Sequence, residues 1–150
     1  LNMNDNFDLT TVTSATEQTP TASATEQTLA VDTTAPATLP ENYLVNGYKG
    51  PDALDFYVRY AREIAAKLSS MDKEQFRAFY AKVDNACRDS FEVRQRTVAK
   101  LTAAARNMVL HNNAPQIFYD LFEANRSAIQ TLADFSYFRD HLECIYCYMK

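Results

Sequence analysis

The sequence predicts an all-α protein: a compact bundle of about five helices behind a long leader that has no core. Three observations lead there. Apolar residues recur at steps of three and four from residue 54 to the end of the chain, and no segment alternates with a period of two. Glycine is nearly absent, with 2 in 150 residues, and both (Gly47 and Gly50) precede the first helical pattern. Tight hairpins and phosphate-cradling loops draw on glycine, so sheet folds and Walker- or Rossmann-type sites are excluded. Aromatic residues are also unevenly placed, since of 9 Phe and 9 Tyr only Phe7 comes before Tyr43.

Residues 1–42 and 43–150 read as unlike parts. The first carries Asp5, Asp8, Glu17, Glu26, Asp32 and Glu41 with no Lys or Arg, and it repeats itself, Ser14–Thr19 returning as Ser23–Thr28. A Thr/Ala/Ser-rich, acidic stretch of this kind buries too little surface to offset its ordering entropy, so 1–42 is expected to be a disordered leader. All 15 Lys and Arg lie in residues 43–150, against 13 of the 19 carboxylates. The net charge of −4 therefore averages two parts of opposite sign and says nothing about partners.

The elements follow in order. Gly50-Pro51-Asp52 starts a first helix, with proline in its first turn. Leu54, Tyr57, Ala61, Ile64 and Leu68 form its apolar face. Asp72 caps a second helix, with Gln75 placed to complete a capping box and Met71 to staple onto Phe76. Its stripe is Phe76, Phe79, Tyr80, Val83 and Cys87. Asp89 and Glu92 repeat the box spacing for a third helix with the stripe Phe91, Val98, Leu101, Ala105 and Met108, which His111-Asn112-Asn113-Ala114-Pro115 ends. A fourth carries Ile117, Phe118, Leu121 and Phe122, and a last one Phe135, Phe138, Leu142, Ile145 and Met149.

Little in this pattern carries reaction chemistry. Cys144 and Cys147 have CxxC spacing, but they fall near the C-terminal end of a helix, where the dipole opposes a thiolate. No second ligand pair accompanies them, so no metal site is expected. Cys87 sits on an apolar stripe and reads as core. His111 and His141 stand in no triad or metal motif and read as surface or interhelical residues, and no carboxylates are spaced as a catalytic pair. The expectation is a protein with no enzymatic activity and no cofactor. No apolar run of about 18 residues is present, and Leu1–Asp5 has neither the charge nor the apolar stretch of an export signal. With three cysteines and no disulfide framework, the expected setting is the reducing cytoplasm.

The basic residues are more informative. Lys73, Arg77, Lys82, Arg88, Arg94, Arg96, Lys100 and Arg106 face only Glu74, Asp84, Asp89 and Glu92, and no carboxylate occurs from Val93 to Tyr119. Arg96 and Lys100 are one helical turn apart. An acid-free helix of this kind favours an anionic partner, with nucleic acid one candidate beside a protein partner and a merely solvated face.

Two segments carry a family resemblance. Leu68-Ser-Ser-Met-Asp-Lys-Glu-Gln-Phe-Arg-Ala-Phe-Tyr80 resembles the Leu-x-x-Ser/Thr-Gln-Leu-Arg-x-Phe-Tyr pattern of the small subunit of the type III-A CRISPR–Cas (Csm) effector complex. Phe135-Ser-Tyr-Phe138 followed by Leu142-Glu-Cys-Ile-Tyr-Cys-Tyr-Met-Lys150 resembles that family's closing Phe-x-x-Phe…Glu-Ala-Val-Val-Ala-Tyr-His-Lys. The likeness runs from about Tyr57 to Lys150. Leu101–Arg106 replaces a Lys-rich stretch of the family, Met149 its penultimate His, and the leader has no counterpart there.

The resemblance implies a non-enzymatic, RNA-binding role in antiviral defence. Copies of such a subunit stack head to tail as an inner filament and line a groove holding the target RNA paired to its guide. Its partners would be crRNA and target RNA, the backbone and large Csm subunits, and further copies of itself. Base pairing then reads the sequence, and the protein needs only phosphate contacts. Arg77 matches the motif arginine; Arg94, Arg96, Lys100 and Arg106 are added from the acid-free helix. The many aromatics suit subunit contacts, which in a head-to-tail filament need two different patches. A rival expectation is a helical protein–protein adaptor with a basic face, no nucleic-acid role, and an acidic leader that screens that face.

Overall fold

A computed structural model describes residues 38–40, 43 and 53–150; the rest of the 1–42 leader and the Gly50-Pro51-Asp52 start lie outside them. Among the described residues the three/four spacing becomes helices and no strand: α1 Ala61–Lys67, α2 Lys73–Ala86, α3 Phe91–Leu110, α4 Gln116–Ala128 and α5 Leu132–Tyr148. The all-α bundle is as the periodicity predicts.

One stretch departs from it. Asp55–Tyr60, leading into α1, winds as a π-helix. The wider turn sets the residue facing the core five positions before Ala61 rather than four. Phe56 and Tyr60 are therefore buried, Tyr57 is half-buried, and Leu54 is 76% exposed. The predicted first stripe is corrected at Leu54 and Tyr57 and holds at Ala61, Ile64 and Leu68.

The ends are set by local chemistry. The Asp72 carboxylate caps α2 by accepting from the Glu74 N–H at 3.1 Å. The α3 cap is Ser90, one residue beyond the predicted Asp89, its Oγ accepting from Val93 N–H. His111 ends α3, and Asn112 takes the left-handed conformation (φ 59°). The Asn112 N–H donates to Val109 O at 3.1 Å and the Asn113 N–H to Met108 O at 2.8 Å, the paired bonds of a Schellman stop. Thr131 and Asp134 close a reciprocal capping box on α5.

In the bundle α3 packs on α4, α1 on α5, and α2 on both α3 and α5. The core holds a run of edge-on rings: Phe79 on Phe118 (4.9 Å between centroids), Phe118 on Phe122 (5.3 Å) and Phe122 on Phe138 (5.6 Å). Such pairs add about 0.5–1.5 kcal/mol each beyond area burial. Ile117, Leu121, Leu142, Ile145 and Met149 complete this core as their spacing predicts. All described residues belong to one unit, Ala37–Lys150. A strap on the leader side of Tyr43 joins it: Lys67 Nζ donates to the Thr38 carbonyl at 2.8 Å, and Asn125 Nδ2 donates to the Tyr43 hydroxyl at 3.0 Å.

Candidate nucleic-acid interface

The five candidate cations meet different fates. Arg94 stands where the α3 stripe lacks an apolar residue, three after Phe91 and four before Val98, and it is 8% exposed. Its Nε donates to Asp89 O at 2.9 Å, Nη2 donates to Cys87 O, and Nη1 makes a long bond to Leu132 O at 3.4 Å. Its guanidinium lies 5.3 Å from the Phe135 ring centroid. This side chain ties the α2–α3 turn to the start of α5. Arg94 is therefore a structural residue, and its place among phosphate-contacting residues is corrected.

Arg77 is exposed, with Nε donating to Glu74 Oε1 at 2.9 Å. That pair raises its pKa, the hydrogen bond from Glu74 first. It also stands about 140° around α2 from Lys82. Arg106 is exposed and leans toward α4, over the Tyr119 ring at 5.7 Å. Neither sits with Arg96 and Lys100, which are exposed one turn apart on α3.

The structure brings Lys100 together with a cation of α2. Lys82 of α2 and Lys100 of α3 line one groove of about 480 Å3, with Asn85 and Thr97 as neutral donors and Ala86, Leu101 and Ala104 as floor. Asp89 is the one carboxylate in that lining. Arg88, in the α2–α3 turn, is exposed. Lys82, Arg88, Arg96 and Lys100 have no ion pair among the described residues. By contrast Arg59, Lys67, Arg77, Arg126 and Arg139 each meet a carboxylate. Arg139 binds both Asp84, at 2.8 Å, and Asp140, at 2.7 Å, which takes from α2 a carboxylate that would otherwise lie in reach of its cations. The stretch Lys73–Arg106 thus keeps an excess of cations, eight against four carboxylates, one of which, Asp84, is taken by Arg139.

The remaining candidates are quiet. Cys144 is half-buried and Cys147 exposed, both on α5 near its C-terminal end. Burial, then Cys147 and the acids Glu143 and Asp140, push the Cys144 thiol up, away from a reactive thiolate. The His111 ring lies 2.9 Å from Asn107 O at the end of α3. His141 is buried on α5. Among the described residues no cluster of His, Cys, Asp or Glu could hold a metal, and no helix is long and apolar enough to cross a membrane. Comparison with protein families, curated proteins and solved structures gives no match to this chain.

Proposed function

We propose that this chain is a non-enzymatic small subunit of a type III-A CRISPR RNA-guided effector. It would contact the guide–target RNA duplex through phosphates, independently of base sequence, with the α2–α3 hairpin as its RNA face. The observation that carries the reading is the set of four exposed cations around that hairpin, Lys82, Arg88, Arg96 and Lys100, which meet no carboxylate among the described residues, whereas Arg59, Lys67, Arg77, Arg126 and Arg139 each do. The resemblance at Leu68–Tyr80 and Phe135–Lys150 supplies the identity of the assembly. Cations spread along a hairpin track a backbone, whereas a catalytic site would gather them around a pocket with titratable partners.

Binding of the full chain to RNA duplexes of unrelated sequence, followed from 50 to 300 mM salt, tests the face. Wild type is expected to bind all of them alike and to weaken steeply with salt. Lys82→Glu with Lys100→Glu should weaken binding about tenfold or more and lower the salt slope by about two, one per lost phosphate contact. Unchanged affinity and slope in that variant would remove the hairpin from the interface.

A second reading rests on the leader, whose six carboxylates stand without a single cation. In an adaptor the basic face would meet an acidic protein, and the leader would screen it. Deleting residues 1–36, which lie outside the unit that begins at Ala37, separates the two: a screening leader raises anion affinity on its removal.

A further inference from the structure

His141 is the least satisfied group among the described residues. It is 0% exposed, and neither Nδ1 nor Nε2 has a hydrogen-bond partner. Its ring stacks on Phe56 at 3.9 Å between centroids, 24° from parallel, with Tyr43 at 5.7 Å. A buried imidazole left without partners forgoes about 1–3 kcal/mol for each lost group. An apolar ring of the same shape would fill this position without that cost.

His141 touches a small aromatic cluster. Phe56 and Tyr60, with Tyr43 and Tyr57 packed on them, form it beside the main core, and Tyr43 packs on both. The cluster is built from the π-helical turn and the strap rather than from the regular helices. It meets α5 through the face of the His141 ring.

We propose that His141 is an acid-sensitive latch. While its imidazole is neutral it stacks the Tyr43–Phe56–Tyr60 cluster onto α5, and protonation frees that cluster while the main core stays closed.

The groups around the ring leave a proton no counter-charge. The strap contributes Tyr43 and the π turn Tyr57 and Tyr60, phenols that carry no charge in acid. From α4 comes the neutral Asn125, bonded to the Tyr43 hydroxyl. From α1, the Glu63 carboxylate is taken by Lys67 at 3.1 Å. On α5 itself Asp140 is held by Arg139, and Asp134 accepts the backbone N–H groups of Gln130 and Thr131. Burial pushes His141 down from its ordinary 6.5 to about 3, opposed only by the nearby Phe56 backbone, which does not reach hydrogen-bond geometry. The sign follows. Once the cluster opens, the ring regains its ordinary affinity for protons, so closure is fully favoured above about pH 6.5. It weakens about tenfold per pH unit below that, until the closed form is itself protonated near pH 3.

Amide hydrogen exchange of the full chain at pH 7.5 and pH 5.0, expressed as protection factors, tests the latch. In wild type the amides of residues 55–60 are expected to lose about 30-fold in protection, while α3 and α4 hold theirs. In His141→Phe the loss at 55–60 should stay below about twofold. An equal acid loss in His141→Phe, or a loss spread evenly over α2–α4, would overturn the proposal. A direct reading on wild type stands even if that variant does not fold. The His141 imidazole nitrogens must report a neutral ring at pH 5.5 in the closed form, and a charged ring with the cluster still docked would refute the latch.

Discussion

Arg94 and Arg96 are two positions apart, about 200° around a helix, and that rotation decides what each side chain does. Arg94 turns inward and gives its fork to the carbonyls of Asp89, Cys87 and Leu132. Arg96 turns outward, with no ion pair among the described residues. Arg94→Met keeps an apolar stem against Phe135 and strands the carbonyls. It is expected to lower stability by about 3 kcal/mol in urea unfolding, with no change in the RNA affinity of the folded protein. Arg96→Glu should do the reverse, leaving stability within about 0.5 kcal/mol and weakening RNA binding. A destabilised Arg96→Glu, or an Arg94→Met that folds as well as wild type but binds RNA poorly, would exchange the two roles. The charge run alone could not separate these arginines. The gap in the apolar stripe between Phe91 and Val98 could have done so, because a helix face seven residues long needs a tenant in its middle turn.

At the scale of elements, the regular helices α2 to α5 were legible because their apolar stripes keep three/four spacing, with one gap, at Arg94 on α3. The first was not, since a π turn adds a residue that no periodicity rule anticipates. This makes a sharp prediction about a deletion. Removing Val58, which is 39% exposed, brings Phe56 to four positions before Ala61 and restores ordinary α-helical phase. The variant should keep the Phe56–His141 stack and an unfolding midpoint close to wild type. Removing Ala103, exposed in the middle of α3, should instead rotate Val98 and Leu101 off the core relative to Ala105 and unfold the bundle. Equal damage from the two deletions would contradict the phase argument. The α3 stop offers a second check, since Asn112 holds φ at 59°. Asn112→Val should cost about 1–2 kcal/mol and Asn112→Gly nothing, both read by thermal unfolding.

Over the whole molecule, the contrast between the acidic leader and a cation-bearing bundle was visible in composition, and the folded unit begins at Ala37, a few residues before the aromatics start. The grouping of cations was not visible, because it depends on how α2 and α3 face each other. Arg77, Arg96, Lys100 and Arg106 look equivalent along the chain, yet Lys100 lines a groove together with Lys82 of another helix. The aromatics divide in a similar way. Among the described residues Phe side chains make up most of the aromatic core, and the exposed rings are Tyr137 and Tyr148, which a partner surface would meet.

The most direct measurement of the central claim is gentle purification of the tagged full chain from its own cells, with sequencing of any bound RNA. The account predicts short RNAs that share a constant 5′ segment and differ beyond it, together with several larger proteins and further copies of this chain. Recovery of the chain alone, or with a single acidic protein and no RNA, would contradict it.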